Sequence, residues 1–222
     1  WINLTQPDRA SDMVSSMLAH ADESVHGMLP IWSHHANENW CMIGYHAVSV
    51  LADALVTKVP NFSLERALDA AIRTAEVPYF DGLSSYIDHG YFPDDLSHSS
   101  VSKTLELAYD DWCIAQIAKA LGKIEDYDYF MSRSKSYINL FDTDSGFMRG
   151  KFKDGKTWRE PFDPKHSAHR IKADYTEGNA WQHSWFVPHD VDNLIKLHGG
   201  DELFSKKLEQ LFNESSEING EN

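Results

Sequence analysis

The sequence predicts an all-α fold in which paired helices are joined by long functional loops, an arrangement that suits a helical toroid or solenoid. Two observations favour this class. Apolar residues recur at the i, i+3, i+4 spacing of an amphipathic helix in about seven segments. Segments with the alternating pattern of strands are scarce, and no repeat of fixed period is present.

The first half of the chain contains four predicted helices. They are expected at about residues 8–25, 41–57, 63–75 and 100–121. The second of these is apolar on most faces, which indicates burial. Ser63 is a favourable N-cap for the third helix, and Gly122 follows the fourth as an expected C′ residue.

Two long polar loops interrupt these helices, at residues 28–40 and 79–95. The second is rich in aromatic and acidic side chains, and loops of its length inside compact domains are usually functional. The first holds histidine, tryptophan and amide side chains. His34 and His35 are adjacent, so on regular structure they point apart and no third ligand stands at metal spacing. A polar loop is therefore favoured over a metal site, although its side chains could also line a sugar site.

The second half begins with a helix at about residues 125–140 and a turn containing Asp142 and Asp144. An EF-hand needs a glycine at its sixth position and a glutamate at its twelfth, where this sequence has Phe147 and Lys153, so turn chemistry explains the aspartates better than a calcium loop. The following residues are expected to be irregular, with one hairpin about Asp154 and Gly155. A short helix before Pro188 and a last pair of helices after it complete the chain.

The composition limits the possible partners. The chain has 34 acidic and 20 basic residues, a net charge of −14, which argues against a nucleic-acid or anionic-membrane partner. A neutral or cationic ligand fits better. Cys41 and Cys113 both lie in apolar helical patterns and are expected to be buried free thiols.

The segment YTEGNAWQHSWFVPHD, residues 175–190, has the highest density of chemically active side chains. Glu177 is its central carboxylate and is predicted at the mouth of a short helix. One interpretation is a general acid in a polar-aromatic pocket, as sugar-processing sites use. The other is a capping glutamate ahead of an aromatic core helix. A second acidic pair, Glu106 and Asp110, lies four residues apart on one helical face and is either solvated or directed into a polar pocket.

The chain also carries, in order, the motifs LPIWS, NWCMIGYHAVSVLADA, GYFPDD, SVSKTLELAYDDWCIAQIAKALGK, GFMRGK, PFDP and EGNAWQHSWFVPHD. Over nearly the whole chain they resemble glycoside hydrolase family 92, the calcium-dependent exo-alpha-mannosidases. The resemblance implies an N-terminal β-sandwich followed by an (alpha/alpha)6 toroid. Residues 1–222 would then be a single fragment, a portion of the (alpha/alpha)6 toroid, without the β-sandwich and the C-terminal part of the toroid. The start at Trp1, without an initiator methionine, agrees with this expectation.

The resemblance also implies an inverting hydrolysis of terminal alpha-mannosidic bonds, with alpha-1,2 bonds as the expected linkage. It gives the role of general acid to Glu177 of the EGNAWQ motif. Trp181, Gln182, His189 and Asp190 are expected to shape the pocket or to hold Glu177 in place. The family's carboxylate base belongs to a downstream motif that this sequence does not contain, so the fragment alone is expected to be inactive.

Calcium is the implied cofactor, and its ligands cannot be assigned from these residues. The expected partners are a mannose-containing glycan and the remainder of the parent chain, with no nucleic acid and no membrane. A secreted, periplasmic or cell-surface location is expected. The Asn-x-Ser/Thr triplets at Asn3, Asn61 and Asn213 agree with secretion but are common by chance.

Two rival functions stay open at this stage. One is an (alpha/alpha)6 glycosidase for another sugar, which would keep the acid but would not need the long family-like motifs. The other is a non-catalytic helical carbohydrate-binding or scaffold protein, which the missing base supports. Release of mannose by a protein that includes the downstream carboxylates distinguishes an enzyme from a scaffold.

Overall fold

The computed structural model describes residues 1–35, 37–168 and 173–220. These residues are mostly helical, which confirms the predicted fold class. The α-helices are α1 (Ile2–Thr5), α2 (Pro7–Glu23), α3 (Ala47–Val56), α4 (Leu64–Ala75), α5 (Leu83–His89), α6 (Ser100–Ala120), α7 (Ile124–Arg133), α8 (Ala180–His183), α9 (Val191–Leu197) and α10 (Asp201–Asn213). A 3-10 helix covers Ser136–Leu140.

The described strands are short and pair two by two. They are β1 (Ser33–His34) with β2 (Asn37–Glu38), β3 (Phe141–Asp142) with β4 (Phe147–Met148), and β5 (His166–Ser167) with β6 (Asn219–Gly220). The first two pairs are antiparallel and the third is parallel. Each strand is two residues long, but β3 and β4 contribute Phe141, Phe147 and Met148 to a buried core cluster.

Several predicted elements are confirmed. Helices α2, α4 and α6 lie where their apolar spacing placed them. The Ser63 hydroxyl accepts a hydrogen bond from the Arg66 N–H at 3.1 Å, as expected of an N-cap. Gly122, just after α6, has a φ of +70°, the left-handed conformation of a C′ residue. Lys151 pairs with Trp158 in the hairpin predicted about Asp154 and Gly155.

The helix predicted at residues 41–57 is shorter than expected, because α3 begins only at Ala47. Gly44 has a φ of +77°, and the Tyr45 N–H donates to the Asp110 carboxylate at 2.9 Å rather than to a helical carbonyl. Cys41 therefore lies outside the helix and is exposed, which corrects its prediction as a buried thiol. Cys113 is buried, and neither cysteine forms a disulfide with another described residue.

Two other predictions differ from the structure. The loop predicted at residues 79–95 contains the two-turn helix α5. The helix predicted at 125–140 ends at Arg133 and is followed by the 3-10 helix. The Ser134 hydroxyl donates to the Met131 carbonyl at 2.9 Å, the kind of local bond that competes with a continuing helix.

The chain divides into two compact units. The first comprises residues 1–84 and 110–135, and the second comprises residues 85–109 and 136–222. In the first unit, α2, α3 and α4 pack against one another around buried Val14, Leu18 and Leu51. The core of the second unit includes Tyr175 and Ala180, which flank Glu177, so the candidate site is built directly on a buried core.

Among the described residues, no helix is both long enough and apolar enough to cross a membrane.

Candidate active site

Glu177 lies in a loop that leads into α8. Its side chain is exposed, and its carboxylate makes no hydrogen bond or ion pair with any residue in the described ranges. Its φ is +50°, in the left-handed region that costs a non-glycine residue about 1–2 kcal/mol. Strain of this kind concentrates at functional sites. Glu177 therefore presents an exposed carboxylate from a strained backbone.

The loop before Glu177 is fixed to the N-terminal turn of α6 in the same unit. Three backbone donors or acceptors of the loop take part. The bonds run from the Ser99 N–H to the Ala173 carbonyl (2.6 Å), from the Val101 N–H to the Asp174 carbonyl (3.0 Å) and from the Thr176 N–H to the Ser102 hydroxyl (2.9 Å). Because α6 is a long and mostly buried helix, these bonds give the loop a rigid support.

His183, the last residue of α8, contacts the loop from the other side. Its Nε2 lies 3.0 Å from the Thr176 carbonyl oxygen, and its Nδ1 lies 3.1 Å from the Ser102 Oγ. Its ring stacks on that of Tyr175, with centroids 5.7 Å apart. Burial lowers the pKa of His183, against the opposing effects of the Thr176 carbonyl and the Glu106 carboxylate, which favours the neutral imidazole.

Gly178 is required by the close approach of His183. A Cβ at residue 178 would lie 2.7 Å from the His183 Nε2 and 3.0 Å from the Gln182 Oε1. Contacts that short do not occur between a Cβ atom and packed side chains. The residue after Glu177 is therefore a glycine because the backbone and the imidazole share this space.

Gln182 has a structural role at the start of α8. Asn179 is the N-cap, and its side chain accepts from the Gln182 N–H at 3.2 Å, while the Gln182 Oε1 accepts from the Asn179 N–H at 3.0 Å. This reciprocal capping box fixes the direction in which the chain leaves Glu177. Gln182 also lines, together with Trp181, a cavity of about 350 Å³ whose rim carries the Lys165–Glu214 ion pair.

Trp181 is packed rather than freely presented. Its ring meets the edge of Phe147, with centroids 4.7 Å apart, and the Lys207 Nζ lies 4.7 Å from its centroid. Its carbonyl oxygen accepts from the Trp185 indole N–H at 2.8 Å. Trp181 thus supports α8 and still contributes to the wall of the cavity.

His189 and Asp190 lie against Tyr137. The Tyr137 hydroxyl donates to the Asp190 Oδ2 at 2.7 Å, and the Asn193 side-chain amide donates to the same hydroxyl at 2.8 Å. The His189 ring meets that of Tyr137 edge to face, with centroids 5.6 Å apart. Asp190 is the N-cap residue of α9, but its side chain makes no capping bond. These contacts describe structural support, and a sugar contact for either residue stays a prediction.

A buried pair of carboxylates holds the first residues of the same loop. Asp94 and Asp174 both contact Arg159, whose Nη1 lies 2.6 Å from the Asp174 Oδ1 and 3.4 Å from the Asp94 Oδ1. Both carboxylates also lie against Gly150, where a Cβ would be within 3.0 Å of each. Burial, and next the negative charge of Asp174, raise the pKa of Asp94 to about 6. Asp174 and Tyr175 further line a cavity of about 500 Å³.

Asp110, one of the two acidic residues predicted on one face of α6, was expected to be either solvated or directed into a polar pocket. It lies in the first unit. Its carboxylate is fully buried, and it accepts from the Tyr45 N–H and lies 2.9 Å from the His46 Nδ1. The neighbouring Asp111 is also fully buried and forms a 3.0 Å ion pair with Arg133. Asp110 therefore points into a polar interior, and the solvated-face alternative is wrong for it.

Among the residues that the structure describes, no group of three or more His, Cys, Asp or Glu side chains could hold a metal ion. The calcium ion that the family resemblance implies stays a prediction, because calcium also takes backbone and amide oxygens as ligands.

The whole chain, residues 1–222, matches the model of the glycosyl hydrolase family 92 catalytic domain. The chain belongs to glycosyl hydrolase family 92. A family 92 alpha-mannosidase from Bacteroides thetaiotaomicron is 50% identical, with a TM-score of 0.89 over 97% of this chain and 28% of that chain. In its complex with mannoimidazole, the identity is 49% and the TM-score 0.92, over 99% of this chain and 29% of that chain.

Two further relatives are more distant. A family 92 inverting mannosidase from Bacteroides thetaiotaomicron VPI-5482 is 33% identical, with a TM-score of 0.81 over 91% of this chain and 27% of that chain. An uncharacterized secreted glycosidase from Arthroderma benhamiae is 29% identical over 76% of this chain and 26% of its own length. The chain thus spans 26–29% of the length of these family 92 and secreted relatives.

Sequence reasoning did not identify the residues that hold the loop of Glu177. His183 lies inside the segment that was singled out, but no pattern linked it to Ser102, which lies 81 positions away. Asp94 was part of a loop predicted to be functional, without a defined partner. The short spacing from Glu177 to His183 was the one available signal, because a short helix places its last side chain near the loop that precedes it.

Proposed function

We propose that the full-length protein hydrolyses terminal alpha-mannosidic bonds and that Glu177 is its general acid. One observation carries the proposal: the EGNAWQ glutamate presents a carboxylate that has no partner among the described residues, and its backbone is strained and well supported. Structural glutamates are normally paired, capping or solvated on relaxed backbone, so this strain needs another explanation. The similarity to solved alpha-mannosidases, one of them bound to mannoimidazole, supports mannose as the sugar.

In the proposed mechanism, the protonated Glu177 donates its proton to the glycosidic oxygen as the bond to the anomeric carbon breaks. A water molecule attacks that carbon from the opposite face, and a second carboxylate takes the proton of the water. In an inverting enzyme the two carboxyl groups stand roughly 6.5–9.5 Å apart, which leaves room for the water. We place this base in a part of the protein outside the present chain, so residues 1–222 alone would be inactive.

The residues around Glu177 have distinct parts in this proposal. Gln182 and Trp181 form one wall of the cavity beside the start of α8, and a tryptophan face suits the apolar side of a sugar ring. His189 and Asp190 support α9 through Tyr137. A preference for alpha-1,2 bonds, a dependence on calcium and a location outside the cell belong to the same proposal. The secreted relative supports the last of these.

The test uses the full-length protein and its Glu177→Gln variant. With alpha-1,2-mannobiose, whose leaving group needs a proton, we expect the variant to lose about 10²- to 10⁴-fold in kcat/KM. With 2,4-dinitrophenyl alpha-mannoside, whose leaving group departs unprotonated, the loss should be much smaller. Proton NMR of the first sugar released should show beta-mannose, as inversion requires.

The matched control is Glu209→Gln, which removes an exposed glutamate from α10. This variant should leave kcat/KM unchanged on both substrates. Near-normal hydrolysis of mannobiose by Glu177→Gln would remove this residue from the mechanism. Absence of mannose release by the unmodified full-length protein would favour a binding or scaffold function.

A further inference from the structure

Four hydrogen-bonding groups form a closed ring immediately before Glu177. The Thr176 N–H donates to the Ser102 Oγ at 2.9 Å, the Ser102 Oγ lies 3.1 Å from the His183 Nδ1, and the His183 Nε2 lies 3.0 Å from the Thr176 carbonyl. A carbonyl oxygen only accepts, so Nε2 must carry the imidazole proton. Nδ1 is then the acceptor, and the Ser102 hydroxyl donates to it. Each group has a partner of the correct kind.

This ring fixes both peptide planes of Thr176, because it binds the N–H on one side and the carbonyl on the other. The carbonyl of Thr176 belongs to the peptide bond that leads into Glu177. On the far side of Glu177, Gly178 lies so close to His183 that a Cβ there would be 2.7 Å from Nε2. The imidazole therefore contacts the residues on both sides of Glu177.

A left-handed φ at a non-glycine residue persists only where the surroundings determine it. Of the contacts around Glu177, those of His183 and Ser102 act closest to its backbone. The imidazole is itself held by its stacking on Tyr175, and Ser102 by its place in the first turn of α6. The support for Glu177 thus comes from buried elements rather than from the flexible surface.

We propose that His183 and Ser102 are positioning residues that hold Glu177 in its strained conformation, where its carboxyl group can reach the leaving-group oxygen. The inference rests on the proposed role of Glu177 as general acid. Neither residue touches the reacting atoms, and both act through the backbone of Thr176. Their loss should therefore resemble a weakened general acid rather than a lost substrate contact.

The test measures kcat/KM of the full-length enzyme on alpha-1,2-mannobiose and on 2,4-dinitrophenyl alpha-mannoside. For Ser102→Ala, we expect a loss of about 10- to 100-fold on mannobiose, the range expected from a displacement of about 1 Å in a catalytic group. On the activated substrate the loss should stay below about threefold, because its departure needs no proton. His183→Leu, which removes both bonds of the imidazole, should show the same substrate dependence, and His183→Gln, which retains an amide donor and acceptor, should recover part of the activity.

The matched control is Ser184→Ala. Ser184 is also buried in the second unit and accepts a backbone N–H, from Met148 at 3.0 Å, but it is not part of the ring. Its loss should lower thermal stability by a similar amount without changing the ratio between the two substrates. Circular dichroism identifies any variant that fails to fold. If one of the Ser102 and His183 variants does not fold, the other decides the ratio of the losses on the two substrates.

A double-mutant cycle separates this proposal from the one it rests on. In the Glu177→Gln background, Ser102→Ala should cause no further loss on mannobiose, because the group it positions is already inactive. Glu177→Gln could lose activity selectively on mannobiose while the Ser102 and His183 variants lower kcat/KM equally on both substrates. In that case the positioning role is wrong and the role of Glu177 as acid stands. If Glu177→Gln is not selective for mannobiose, the acid itself is wrong and the positioning role falls with it.

Discussion

At the scale of single residues, Glu177 differs from two of the other non-glycine residues that have a positive φ, Lys58 and Asn61. Lys58 has a φ of +57° as the C′ residue of α3, where the Val59 N–H bonds to the Ala54 carbonyl at 2.9 Å in a Schellman motif. Asn61 is of a type that tolerates the left-handed region. Glu177 closes no α-helix and has no local side-chain bond. Its conformation is explained by its neighbours, whose contacts with His183 offset the strain.

The buried Asp94 leads to a prediction at the same scale. Its side chain is only 3% exposed, and burial together with Asp174 raises its pKa to about 6, above the ordinary value of 3.8. The folded state therefore binds the proton more tightly than the unfolded state. The resulting stabilisation is complete below about pH 4 and is lost as the pH rises through about 6.

Asp94→Asn, which mimics the protonated form, should remove this dependence. Between pH 4.5 and 7.5, the melting temperature of the unmodified protein minus that of the variant should fall with rising pH, most steeply below the folded pKa of about 6, and should level off above it. Asp154→Asn is the control, because bonds from Thr157 lower the pKa of this exposed aspartate to about 2, so neither of its states titrates in that range. If the melting temperatures of the unmodified protein and of Asp94→Asn differ by the same amount at every pH, Asp94 is ionised throughout this range.

At the scale of elements, α6 organises the candidate site. Its N-terminal end bonds to the loop before Glu177 at three points, one of which is the Ser102 hydroxyl. The helix itself was predictable, because its apolar spacing and the glycine after it are local signals. Its connection to the loop was not, since it depends on bonds between residues more than seventy positions apart.

The errors in element boundaries have the same origin. The apolar run from Cys41 suggested a helix, but the bond between the Tyr45 N–H and Asp110 joins residues 65 positions apart and delays the start of α3. The predicted position of Glu177 before a short helix is correct, because Asn179 and Pro188 are local signals. The spacing from Glu177 to His183 indicated only that the two residues lie near each other, and neither the positive φ of Glu177 nor the bonds of His183 to Ser102 and Thr176 could be inferred from it.

A test of the short helix α8 belongs to this scale. Asn179→Ala removes the capping box and should lower stability by about 1 kcal/mol. Because Asn179 lies two residues after Glu177, the full-length variant should also release mannose from mannobiose more slowly. Ser63→Ala is the control, since Ser63 caps α4 in the other unit with a comparable bond and should reduce stability without reducing activity. Equal melting temperatures and unchanged activity for Asn179→Ala would show that this cap does not hold the site.

At the scale of the whole molecule, the chain spans little more than a quarter of the length of the family 92 mannosidases that it matches, yet it includes the described contacts that hold the loop of Glu177. The core of the second unit, the first turn of α6 and helix α8 are all internal to it. An inverting glycosidase nevertheless needs two carboxylates with a water between them. We propose only the acid, Glu177, within this chain, so activity measurements must test where the base lies.

The last prediction concerns residues 1–222 produced alone. If the base lies elsewhere in the protein, the chain should fold with the helical circular dichroism of this structure but should cleave neither mannobiose nor the dinitrophenyl substrate. The second substrate is decisive, because it needs no acid but still needs an activated water. Azide, which attacks without a base, should then restore some release of dinitrophenol, with beta-mannosyl azide as the product. Cleavage of both substrates at the rate of the full-length enzyme, without azide, would show that the base lies within these residues after all.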